Sequence, residues 1–149
     1  MLPANYLSIF KNATVMKKLL LLLALLGTNY WGWAQAAYFS TDKVTYCDWD
    51  NANSEFINCN DSPESTLFKL NSDETMFHHT TEDLSSSYYV QSKEYDKKTD
   101  TYSYKVKSDV GNEYTFIVDL KNEKFSVVGV NRSGGVYLLR HHIKRAWTD

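Results

Sequence analysis

The four histidines occur as two adjacent pairs, His78-His79 and His141-His142. Neighbouring side chains on a β-strand point to opposite faces, so each pair can present one ring to a given face. One ring from each pair, together with an acidic side chain, would form a three-ligand site of the kind that zinc hydrolases use. The spacing does not match a metal motif such as H-E-x-x-H. The pattern therefore favours exposed or hydrogen-bonded histidines and keeps a zinc-dependent hydrolase as an alternative.

A second polar group, Asp48, Asp50, Asn53 and Glu55, surrounds one predicted hairpin turn. Oxygen ligands crowded on a tight loop suit calcium, although the spacing differs from an EF-hand loop, which needs glycine at its sixth position. Asp and Asn are also ordinary turn formers because their side chains bond to nearby backbone groups. A polar turn is the favoured interpretation and a calcium site the alternative; apart from this calcium and the zinc considered above, no cofactor is indicated.

The two cysteines, Cys47 and Cys59, flank the same turn. In an exported chain a single pair predicts one disulfide. Placing the two directly opposite each other sets Trp49 against Ile57, and puts the turn near residues 52–54. Neither a C-x-x-C motif nor a third cysteine is present, so a redox or metal role is not favoured.

Tyrosine is frequent: 11 of the 149 residues. A tyrosine ring combines an apolar body with a polar tip, which suits half-exposed sheets and binding surfaces. High strand propensity explains most of these residues. As a candidate binding face the sequence offers Tyr88, Tyr89 and Tyr137.

Sequence motifs for catalysis are lacking. Neither a nucleophile elbow, nor a phosphate-binding loop, nor a dinucleotide fingerprint occurs, so catalysis is not favoured. Beyond residue 36 the chain carries 13 basic against 18 acidic side chains, a net charge of −5. Such a balance disfavours nucleic-acid binding. Acidic residues dominate up to residue 92 and basic residues afterwards.

The first residues predict an export signal rather than part of the fold. Met16-Lys17-Lys18 precedes an apolar run, and an A-x-A cleavage pattern ends at Ala36. The run is too short to span a bilayer, which takes about 20 residues. We therefore expect an upstream extension over 1–15, a signal peptide over 16–36, and a domain over 37–149. After cleavage the chain would have no membrane span and would be secreted or periplasmic.

The stretch from 101 to 130 predicts three antiparallel strands, because apolar and polar residues alternate along it. Register must place apolar opposite apolar, which selects a three-residue first loop over 109–111 with Gly111 in the left-handed region. That loop predicts the pairs Val106–Tyr114, Tyr104–Phe116, Tyr102–Val118 and Lys107–Glu113. For the second turn the pattern predicts Leu120–Phe125, Val118–Val127, Phe116–Gly129 and Ile117–Val128.

The remaining chain predicts further short strands. Residues 60–65 read as a polar break with a helical turn capped by Ser62 and Pro63. A hairpin is expected at 66–70 and 75–79, with a helix over 73–84 as the alternative, then a strand at 87–91. A last strand at 136–143 is followed by a tail with Lys144, Arg145 and Trp147.

Seven to nine short strands with frequent turn signals predict a single small antiparallel all-β domain. An up-and-down barrel is preferred to a sandwich, because the strands follow one another through short turns. The favoured function is a non-catalytic exported binding or structural module that contacts a protein, a glycan or another ligand through a tyrosine-bearing face. The alternatives are a barrel carrying a small apolar ligand and the metal-dependent hydrolase described above.

Overall fold

The computed structural model describes residues 35–149, which form eight antiparallel strands closed into a barrel. Each strand pairs with the next along the chain, and the last pairs with the first. The preferred all-β, up-and-down architecture is thus confirmed. The strands are β1 (Ala37–Asp50), β2 (Glu55–Leu70), β3 (Met76–Thr80), β4 (Ser85–Asp96), β5 (Thr101–Ser108), β6 (Glu113–Asp119), β7 (Lys124–Val130) and β8 (Val136–Thr148).

The β5–β6 hairpin has the predicted register, with Tyr104 opposite Phe116 and Lys107 opposite Glu113. Its loop is residues 109–111, closed by hydrogen bonds between Ser108 and Asn112. Gly111 has φ of +91°, a conformation that side chains with a Cβ rarely adopt. Alternation and turn chemistry agree here, which is why the register could be predicted.

The β6–β7 register differs from the prediction by two residues, because residues 120–123 form a four-residue loop. The carboxylate of Asp119 accepts hydrogen bonds from the backbone and side chain of Asn122 at 3.0 and 2.7 Å, which fixes this turn. Leu120 is 51% exposed in the loop instead of packing on Phe125. The observed pairs are Phe116–Val127, Val118–Phe125, Ile117–Ser126 and Thr115–Val128.

The β1–β2 hairpin contains the predicted Cys47–Cys59 disulfide, and its turn lies at residues 51–54. The pairing of Trp49 with Ile57 was wrong. Asn58 has φ of +52°, the register shifts beside it, and Trp49 pairs with Phe56 instead. An unpaired extra residue of this kind is a β-bulge, which alternation alone does not reveal.

The break at residues 60–65 and its helical turn were also wrong, since β2 continues through them. Pro63 lies opposite Lys43 of β1. On its other side β2 pairs with β3 only from Leu67 to Leu70. Among the described residues the rest of β2 therefore forms an edge, where proline's missing N–H is tolerated.

The β2–β3 hairpin is confirmed with its turn at residues 71–75, and the alternative helix over 73–84 is absent from the described chain. The tail assignment was wrong, because Lys144, Arg145 and Trp147 belong to β8. The Trp147 ring stacks on Tyr38 of β1 with centroids 5.2 Å apart. That contact supports the strand beyond the point where its alternation fades.

Aromatic rings fill the middle of the barrel. Phe68 stacks on Phe125 with a centroid distance of 3.9 Å, and Phe77 and Phe116 meet these rings edge-on. We call the following set, each at most 7% exposed, the phenylalanine core: Phe39, Phe68, Phe77, Phe116 and Phe125. None of the described residues lies in a helix long and apolar enough to cross a membrane. The leader assigned to 1–36 falls almost wholly outside the described residues.

Candidate functional site

Four tyrosine rings gather at one end of the barrel. In an up-and-down barrel alternate turns lie at the same end, and Tyr46, Tyr88, Tyr114 and Tyr137 each point inward from a strand close to such a turn. The Tyr46 and Tyr137 rings stack at 5.9 Å, and Tyr88 meets Tyr114 edge-on at 5.6 Å. We call these four residues the tyrosine cluster.

Gly129 explains why the rings fit so closely. A Cβ at this position would lie 2.7 Å from Cζ and Oη of Tyr137 and 3.0 Å from Cδ1 of Tyr114. Tyr137, which pairs with Gly129 across the strands, therefore lies directly over bare backbone. The sequence predicted that Phe116 would pair with this glycine, but Phe116 pairs with Val127 instead. The glycine's role in the site is to leave room for two tyrosines.

Tyr46 is the most exposed ring of the cluster, and the other three are partly buried. Tyr46 is 38% exposed, and its hydroxyl donates a hydrogen bond to Asp48, which raises the pKa of Tyr46. Burial raises the pKa of Tyr137, and the neighbouring Tyr114 adds to this effect. Burial likewise raises the pKa of Tyr88, whose ring touches Phe116 of the phenylalanine core at 4.9 Å. The rings thus form a continuous path from solvent to the core.

Two histidines lie inside the barrel next to this cluster. His79 stacks on Phe68 at 4.8 Å, and His141 meets the same ring edge-on at 5.0 Å. The two imidazole centroids are 6.5 Å apart, and His79 is 6.3 Å from Tyr88. Within the described chain, Nε2 of His79 and Nδ1 of His141 are buried without a hydrogen-bond partner.

Burial determines the protonation of both inner histidines. Burial, together with a smaller effect of the nearby His79, lowers the pKa of His141 to about 4. Burial also lowers the pKa of His79, although the charge of Glu64 opposes this effect. Glu64 accepts a hydrogen bond from the buried Thr66 hydroxyl at 3.0 Å. At neutral pH both imidazoles are uncharged.

The two histidine pairs divide between the faces, as strand geometry requires. His78 lies within 3.2 Å of the Ser87 hydroxyl and 3.0 Å of the Ser85 hydroxyl. His142 faces Asp42 at 3.1 Å and Glu123 at 3.8 Å on the outer wall. Across residues 35–149, no three His, Cys, Asp or Glu side chains group closely enough to hold a metal ion.

The acidic residues of the first hairpin bond within the turn. Asp50 accepts hydrogen bonds from the Ala52 amide at 2.9 Å and the Asn53 side chain at 2.7 Å, which lowers the pKa of its carboxyl. Asp48 accepts a hydrogen bond from the Tyr46 hydroxyl at 3.0 Å. These contacts are those of an ordinary polar turn, and the calcium alternative gains no support from them.

The three tyrosines of the predicted binding face do not lie together in the structure. Tyr88 and Tyr137 belong to the tyrosine cluster, whereas Tyr89 is 51% exposed on the outer wall. Tyr46 and Tyr114 were missed. The available signal was their inward parity near turns that share one end of the barrel. Comparison with known protein families, curated proteins and solved structures finds no match to this chain.

Proposed function

We propose that this protein is an exported, non-catalytic binding module whose tyrosine cluster contacts a glycan. The observation that supports this proposal is that four tyrosines gather at one barrel end, from the partly exposed Tyr46 to the partly buried Tyr88. Such rings offer both an apolar surface and hydroxyls at low cost in side-chain entropy. A sugar ring presents the same two kinds of surface.

The filled interior supports surface binding over the carriage of a small apolar ligand. An interior ligand site needs a cavity of several hundred cubic ångströms. In this barrel the phenylalanine core occupies the middle, with ring centroids as close as 3.9 Å. The metal-dependent hydrolase likewise gains no support, because only two histidines meet and their partners are aromatic.

The disulfide supports the export part of the proposal, since such bonds persist mainly outside the reducing cytosol. Mass spectrometry of protein recovered from its native compartment tests it. We expect a mature amino terminus near residue 37 and a chain lighter by the two hydrogen atoms lost when the Cys47 and Cys59 thiols are oxidised to the disulfide. A chain that begins at Met1 or Met16 with free thiols would contradict export.

A glycan array tests the binding part. We expect the wild-type protein to bind a subset of glycans, and Tyr46→Ala and Tyr137→Ala to lose most of that signal. Tyr89→Ala is the matched control, because it removes an exposed tyrosine from the outer wall. If the array shows no binding, or if Tyr89→Ala weakens it as much as Tyr46→Ala does, the proposal is wrong.

A further inference from the structure

The outer wall formed by β8, β1, β2 and β3 contains a depression of about 680 Å³. Its floor follows one cross-strand row, in which Arg145 pairs with Ser40, Ser40 with Leu67, and Leu67 with Thr80. These residues alternate with inward-facing ones, so their side chains line the outside of the barrel. Ser40 and Thr80 contribute short polar side chains to this floor, and Leu67 between them contributes an aliphatic one.

Irregular pairing at one level of the wall shapes the depression. Lys144 is an extra residue in β8, Asp42 in β1, and β2 places Glu64 and Ser65 opposite Asp42. Bulges bend strands and redirect side chains, and they are frequent at functional sites. Three neighbouring strands are therefore bent together, beside the depression's polar floor.

The two ends of the depression carry opposite charges. Lys144 and Arg145 lie at the β8 end, and Glu82 lies at the end formed by the loop after β3. A neighbouring depression of about 360 Å³, lined by Glu64, Glu82 and Asp83, extends the acidic end. Among the described residues, neither the two cations nor Glu82 takes part in an ion pair.

The dimensions fit a short peptide chain. Three steps between neighbouring strands, each 4.7–4.9 Å, separate β8 from β3 by about 14 Å. An extended peptide spans 3.3–3.6 Å per residue, so about four residues cover that distance. The Arg145 guanidinium lies 5.1 Å from the Trp147 ring, which holds it at the rim while its N–H groups can still bond to a carboxylate.

We propose that this depression binds a peptide of about four residues with free termini. The terminal carboxylate lies against Arg145 and Lys144, the terminal ammonium lies against Glu82, and the central part rests on Leu67 between the serine and threonine hydroxyls. Exposed ion pairs of this type contribute about 0.2–1 kcal/mol each, so the affinity is modest and depends on salt. The proposal is independent of the tyrosine cluster.

Titration of ¹⁵N-labelled protein with tetraalanine, followed by NMR, tests the proposal. We expect shifts along the row from Arg145 to Thr80. Acetylation of the peptide's amino terminus or amidation of its carboxyl terminus should each weaken binding about two- to fivefold, the equivalent of one exposed ion pair. Dialanine, which cannot span the depression, should bind more weakly than tetraalanine.

Two further variants test which residues bind each terminus of the peptide. The double variant Lys144→Gln/Arg145→Gln should make binding insensitive to amidation, and Glu82→Gln should make it insensitive to acetylation. Lys105→Gln on β5 is the matched control and should leave both sensitivities unchanged, as should Tyr137→Ala. Equal affinity for free and doubly capped tetraalanine would overturn the proposal. So would sensitivity to amidation alone, which would mean an anion site, or shifts confined to another wall.

Discussion

The middle of the barrel interior and its tyrosine-bearing end belong to the same barrel but differ in their side-chain chemistry. The phenylalanine core is buried, apolar and packed ring against ring. The tyrosine cluster, with His79 and His141 beneath it, contains hydroxyls, partly exposed rings and buried nitrogens without partners. Inward-pointing positions therefore do not form one uniform core. The first region mainly stabilises the fold, and the second holds groups that stability alone does not require.

The largest effect should come from Phe68→Ala, in the phenylalanine core. Phe68 is 1% exposed and packs against Phe125, His79 and His141. Loss of a buried phenylalanine leaves a cavity and lowers the free energy of unfolding by about 3–5 kcal/mol. Urea unfolding measures this. The exposed Leu84→Ala serves as control and should change stability by less than about 0.5 kcal/mol. A similar small loss for Phe68→Ala would erase the contrast between the two regions.

The second largest effect on the free energy of unfolding should come from acid, which protonates the two histidines beneath the tyrosine cluster. The pKa of His141 is about 4 in the fold and 6.5 in its ordinary state, so the unfolded chain binds more protons between these values. Stability is therefore fully present above pH 6.5 and falls as the pH drops towards 4, by about 3 kcal/mol. The lowered pKa of His79 acts in the same direction.

Urea unfolding at pH 7 and at pH 4.5 checks this prediction. His141→Leu should lose much of the acid sensitivity, whereas the exposed His142→Gln should keep it. The aspartates whose pKa is lowered, such as Asp50 and Asp61, destabilise the fold only at still lower pH, so they do not obscure the result. Equal stability at both pH values would show that these imidazoles are not held neutral.

Gly129→Ala should have a moderate effect and sharpen the comparison at the tyrosine cluster. The added methyl group would meet the Tyr137 ring at 2.7 Å, so the ring must move. Overpacking of this kind costs about 1–3 kcal/mol. We expect altered near-UV circular dichroism together with the loss of stability. An unchanged spectrum would mean that the two tyrosines are not packed over the glycine.

Tyr46→Ala should have the smallest effect on stability, below about 0.5 kcal/mol, because its ring is partly exposed and lies at the outer end of the cluster. Thermal unfolding measures this, with Tyr95→Ala as a second exposed tyrosine for comparison. A loss as large as that of Phe68→Ala would place Tyr46 with the stabilising core instead of the candidate binding surface.

Alternation predicted which way side chains point better than it predicted which residues pair. In β5 and β6 the alternation is uninterrupted, and every predicted pair is present. Between β6 and β7 the inward set was right except for Leu120, but the pairing moved by two residues, because the loop that Asp119 and Asn122 stabilise lies at residues 120–123. Period-two patterns do not distinguish registers that differ by two.

Bulges and distant contacts explain the other differences. In β1, β2 and β8 extra residues interrupt the period, so the polar stretch around Pro63 resembled a break and the residues after Ile143 resembled a tail. Only two of the four tyrosines in the candidate site were predicted, because distant contacts bring the four together. Tyr88 and Tyr137 could be chosen as strand tyrosines, but their meeting with Tyr46 and Tyr114 depends on barrel closure, which places remote strands side by side.

The unpaired margin of β2 has a consequence for how the protein behaves in crowded solution. A bare row of amide and carbonyl groups invites a second molecule to add its own strand, which is how fibres grow. Here Pro63 supplies no N–H, Asn58 bends the row at φ of +52°, and Asp61 and Glu64 add negative charge. We expect these features to prevent strand addition between molecules, so that the unpaired margin of β2 does not become a route to aggregation.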